Sequence, residues 1–76
     1  QFVCPGFVDT HCHAPQYTYA GRTATDVPLL EWLQKYAFPC ESAMVNLKHA
    51  EFVYRKLIRR LLSLGTTTAL YFATIH

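Results

Sequence analysis

Residues 66–75, Thr66-Thr67-Thr68-Ala69-Leu70-Tyr71-Phe72-Ala73-Thr74-Ile75, carry no charge and are β-branched or aromatic at most positions. A strand of that composition is apolar on both faces, which suits a parallel sheet covered by helices rather than a half-solvated hairpin. The segment before it supplies such a helix. Leu47, Ala50, Val53, Tyr54, Leu57, Ile58, Leu61 and Leu62 recur at three and four residues and form one apolar stripe. Lys48, Arg55, Lys56, Arg59 and Arg60 take much of the other face, Asn46 stands at the N-cap, and Gly65 stands where a left-handed C′ residue belongs. The basic face reads as the solvated outside of the helix.

A second strand is predicted over 7–14. Pro5-Gly6 precedes it as a turn signal, and Pro15 stops it. Residues 16–25 show neither helical nor strand period and read as loop. A short helix is expected over 29–37, with Asp26 as its cap, Pro28 in its first turn and Phe38-Pro39 as its end. The order strand, excursion, helix, strand implies a parallel pair joined by a right-handed crossover. The fold class is therefore α/β. Two such strands need further strands beside them and helices around them, and 76 residues do not supply both. Together with a first residue Gln1 rather than Met, this leads us to expect a partial domain spanning 1–76, cut from a larger α/β barrel.

Composition excludes several classes of function. A net charge of +2 is too mild to indicate nucleic acid or an anionic membrane. The longest charge-free run, 61–75, is too short to span a bilayer. Three cysteines, Cys4, Cys12 and Cys40, make an odd count without CxxC spacing, so no disulfide framework is expected and a reducing cytosol fits best.

His11 and His13 are the strongest chemical signal. Residues two apart on a strand share a face and lie about 6.6 Å apart along it. Two neutral imidazoles there can lean onto one zinc ion, with Cys12 on the opposite face. The pair closes its strand at the carboxyl end, where parallel α/β folds place ligands and metals. Asp9 has the same parity, either as a partner that orients a metal ligand or as an ordinary strand-end hydrogen-bond acceptor.

Pro5-Gly6-Phe7-Val8-Asp9-Thr10-His11-Cys12-His13 resembles the first-strand motif of the amidohydrolase superfamily, metal-dependent hydrolases built on a (β/α)8 TIM barrel. Further stretches resemble a guanine-deaminating family within it. These are His13-Ala14-Pro15-Gln16-Tyr17, Asp26-Val27-Pro28-Leu29-Leu30-Glu31-Trp32-Leu33 with Lys35-Tyr36 and Phe38-Pro39, and Gly65-Thr66-Thr67-Thr68 with Tyr71-Phe72-Ala73-Thr74-Ile75-His76.

The resemblance implies a cytosolic zinc enzyme, one ion per subunit and a homodimer, that hydrolyses guanine to xanthine and ammonia. It implies His11 and His13 as zinc ligands, and His13, Ala14, Pro15 and Gln16 as lining of the purine pocket. The Gln16 amide would meet the base, being both donor and acceptor. The proton-shuttling Glu and the remaining ligands are expected outside this chain. No catalytic residue is therefore assigned among Asp9, Glu31 and Glu41, and the chain alone is expected to be inactive. Another heterocycle aminohydrolase or chlorohydrolase, or a truncated interaction module using the basic helix, are the competing readings. The unrelated deaminases with P-C-x-x-C are a poor match, because Cys40 after Pro39 has no second Cys three residues later. Tyr17, Tyr19, Trp32 and Phe38 read as packing residues more readily than as a pocket mouth. His76 is left without a role.

Overall fold

Two parallel strands and the helical chain between them make up the computed structural model, which describes all 76 residues. β1 (Phe7–His13) lies beside β2 (Thr66–Phe72), with Phe7 opposite Thr66 and His13 opposite Phe72. The α/β class and the parallel pairing are as expected. β2 stops three residues before Ile75 because β1 ends at His13, so the backbone of 73–75 has no strand to bond. The register shifts twice, between Phe7 and Val8 and again between Asp9 and Cys12. At the second shift three steps on β1 oppose two on β2, which interrupts the regular pairing over the stretch that contains His11.

Pro5-Gly6 forms no turn; residues 1–6 run into β1 without regular structure. Gly6 is needed for a different reason, because a Cβ there would overlap the Thr67 side chain. Gly65 fulfils its expectation. It takes φ +92° directly after the last turn of the long helix, a conformation that disfavours side chains, and a Cβ would approach the Phe7 ring at 3.3 Å.

The expected loop over 16–25 begins instead as a 3-10 turn, Ala14–Thr18. Pro15 opens it, and the Thr18 hydroxyl donates to the Pro15 carbonyl at 3.1 Å. The short helix is also longer than its sequence suggested. α1 (Leu29–Trp32) begins one residue after Pro28, which is extended at ψ 145°, so Asp26 does not cap it. The chain then widens into a π turn, Leu33–Ala37, and continues as α2 (Phe38–Ala43) straight through Phe38-Pro39. A proline in α register lacks an N–H and crowds the carbonyl four residues back. The wider turn before it puts Pro39 at the start of α2, where a missing N–H costs least, so the chain continues through the proline.

α3 (Leu47–Ser63) is capped as expected. The Asn46 side chain accepts the N–H groups of Lys48 at 3.1 Å and His49 at 3.2 Å. Ala50, Val53 and Leu57 are buried; Met44 completes the core, with Tyr17 and Tyr54 packed against it. Leu47, Ile58 and Leu62 remain exposed although they continue the stripe, because a sheet of two strands is narrower than the helix face above it. The resulting slab measures 45 × 32 × 18 Å.

Candidate metal centre and adjoining cleft

The carboxyl end of β1 carries the two imidazoles side by side. The Nε2 atoms of His11 and His13 are 2.8 Å apart and their ring centroids 4.9 Å apart. Phe72, the strand neighbour of His13, backs both rings. It stacks on His13 at 4.9 Å and 17°, and meets His11 at 4.8 Å and 43°. Around a tetrahedral zinc, ligand bonds of about 2.0–2.1 Å put neighbouring nitrogens roughly 3.3 Å apart. The observed pair is within about half an ångström of that spacing. The donor set and its convergence therefore fit a zinc ion. No group of three or more His, Cys, Asp or Glu gathers there, so the chain offers at most these two imidazoles to such an ion.

Asp9 does not touch either ring. Its Oδ1 accepts the backbone N–H of His11 at 3.0 Å, fixing the strand from which the ring projects. Of the two roles open to Asp9, this is the strand-end hydrogen-bond acceptor rather than a partner of an imidazole. Cys12 is half-buried, and burial, then the Asp9 carboxylate, pushes its thiol pKa up, which disfavours a thiolate.

The imidazoles open onto a cleft of about 420 Å³ that Gln16, Tyr19, Thr23 and Trp32 also line. Gln16 thus joins His11 and His13. Ala14 and Pro15, expected on the same wall, are buried instead, where the 3-10 turn packs on α3. The aromatic side chains reverse the expectation in part: Tyr17, Tyr19 and Trp32 line the cleft, whereas Phe38 lies with His76 around a separate depression. Trp32 is held by an indole N–H bond to the Thr23 hydroxyl at 3.0 Å, and its ring meets Tyr19 edge-on at 5.7 Å. The Tyr19 hydroxyl is buried without a partner, and its pKa is pushed up to about 12 by burial and, less, by Cys40 and Glu41. A half-buried indole requires an acceptor, so a Trp followed back to a nearby Thr was the available sequence signal for this wall.

The basic face of α3 is a solvated surface. Arg55 pairs with Glu51 at 2.8 Å, both largely exposed, and Lys56 lies over the Phe52 ring at 4.6 Å.

The sequence profile of the amidohydrolase family matches residues 2–76. The chain belongs to the amidohydrolase family. Among its relatives, guanine deaminase of Dictyostelium discoideum is 59% identical over the whole chain and 17% of that protein. Human guanine deaminase is 58% identical over the whole chain and 16% of that protein. The crystal structure of guanine deaminase from C. acetobutylicum with guanine in its active site superposes with a TM-score of 0.88 at 43% identity. That match covers 95% of this chain and 17% of the other. This amidohydrolase chain therefore spans about one-sixth of the length of the relatives it matches.

Proposed function

We propose that this chain is the first-strand portion of a zinc-dependent guanine deaminase, in which water replaces the exocyclic amino group of guanine to give xanthine and ammonia. The observation that carries the reading is the convergence of His11 and His13 Nε2 atoms at a cleft also lined by Gln16, in a chain 58% identical to human guanine deaminase. In this reading the two parallel strands are neighbouring staves of a (β/α)8 barrel whose other strands cover the exposed apolar faces. A cytosolic homodimer is part of the same proposal, on the family resemblance alone.

When bound, zinc supplies a water acidified to near neutral pH and a positive charge beside the reacting carbon. His11 and His13 would hold the ion through Nε2, with Phe72 restricting how either ring turns. Asp9 keeps the backbone beneath His11 in place. The Gln16 amide offers one donor and one acceptor to the edge of the purine, and Tyr19 and Trp32 give its flat faces an apolar flank that sheds water. The proton that converts the amino group into ammonia is expected to pass through a carboxylate beyond these 76 residues.

The test uses the complete protein. Bound zinc is measured, and deamination is assayed on guanine, adenine, cytosine and a triazine, for wild type, His11→Ala and His13→Ala. The expected result is one zinc per subunit, activity on guanine, and loss of both in either variant. Activity confined to another ring, or full activity in either variant, would overturn the proposal.

A further inference from the structure

We infer that Thr23 and Trp32 are positioning residues: their hydrogen bond fixes the outer wall of the cleft against which the purine ring settles. The inference rests on the guanine deaminase reading above and adds a determinant of substrate affinity to it. The two side chains are nine residues apart, and both are half-buried. Both line the cleft that holds His11, His13 and Gln16.

The segment between them has little else to hold it. Arg22 N–H donates to the Tyr19 carbonyl at 2.9 Å, and after that no main-chain hydrogen bond ties residues 23–27. Main-chain bonding resumes where Trp32 N–H donates to the Pro28 carbonyl at 3.0 Å. Gly21, with φ +75° and no atom near its missing side chain, closes the turn just before this segment. A stretch without backbone bonds is stabilised mainly by whatever side chain reaches across it.

The anchor, by contrast, is fixed. Trp32 is on α1, and its ring packs against Tyr19 at 5.7 Å and Tyr36 at 6.3 Å. The indole N–H therefore points from a rigid site, and Thr23 is the element it holds. Releasing Thr23 frees the wall without disturbing the histidines, so the loss falls on ground-state and transition-state binding equally. Such a loss raises KM and leaves kcat in place.

The test again uses the complete protein with guanine as substrate. Thr23→Val keeps the shape and removes the acceptor, while Trp32→Phe removes the donor together with part of the ring that flanks the purine. Each is expected to raise KM about 3–10-fold with kcat within about twofold, the size of one net hydrogen bond. The double variant is expected to be no worse than Trp32→Phe alone, because once the donor is gone Thr23 has no bond left to lose. Thr23→Ser, which restores the hydroxyl, is expected to return KM to within about twofold of wild type. An unchanged KM in Thr23→Val, multiplying effects in the double variant, or failure of Thr23→Ser to restore KM would overturn the inference. A wild type without activity on guanine would instead overturn the functional reading beneath it.

Discussion

Phe72 stacks on His13 at 4.9 Å and also touches His11, so one residue of β2 governs the freedom of both imidazoles. Replacing it by Ala is expected to weaken zinc retention about 2–10-fold in a chelator competition, and replacing it by Tyr to leave retention intact. Tyr19 makes the opposite case, a polar atom without a partner. Tyr19→Phe removes a buried, unsatisfied hydroxyl, so chemical denaturation is expected to show stability unchanged or higher by up to about 1 kcal/mol. The raised pKa of Tyr19 also sets a sign. The neutral phenol is favoured in the folded state, so its contribution is present below the ordinary tyrosine value. That contribution is lost as pH rises toward about 12. Ultraviolet titration should find a phenol ionising only toward about 12, and Tyr19→Phe should remove that step. At this scale the histidine pair was legible because a period of two places alternate residues on one face. For Asp9 two roles stood open, and the structure shows the strand-end acceptor, bonded to the His11 N–H; parity alone could not choose between them.

Elements were legible where local chemistry acts alone. Asn46 caps α3 through two N–H groups, and Gly65 ends it at φ +92°. Asn46→Ala is expected to cost about 1 kcal/mol of stability. Gly65→Ala is expected to cost about 1–2 kcal/mol, since its backbone is left-handed and the new methyl would press on Phe7. Denaturant titration checks both. The helical run from Leu29 to Ala43 outlasts its expected end at Phe38-Pro39, because the π turn at Leu33–Ala37 changes the register before the proline is reached. The 3-10 turn at Ala14–Thr18 leaves no periodic signature in the sequence, since the Thr18 hydroxyl donating to the Pro15 carbonyl braces it rather than a repeating apolar pattern.

The whole molecule exposes 6118 Å², against about 4,700 Å² for a compact protein of its mass. Its radius of gyration, 14.2 Å, likewise exceeds the roughly 11 Å of a compact chain of this length. Only seven residues are buried, while Phe7, Val8, Leu70 and Phe72 of the two strands stay open. That imbalance was legible in the apolar strand 66–75, which demanded cover on both faces. What covers it was not, since the partner surfaces are supplied by sequence other than these 76 residues in the barrel proposed above. The isolated chain is accordingly expected to melt without a cooperative transition by circular dichroism, with or without zinc, and to show no deaminase activity.

Both strands of this sheet are outermost strands, each with a free row of N–H and C=O groups along one side. Liberated from its surroundings, the segment would offer an addressable ledge to any second copy, backed by aromatic and β-branched side chains of the kind that zip into fibrils. Proteolytic release of residues 1–76 should thus yield thioflavin-positive aggregates rather than a dispersed peptide. A Lys in place of Leu70 should delay them.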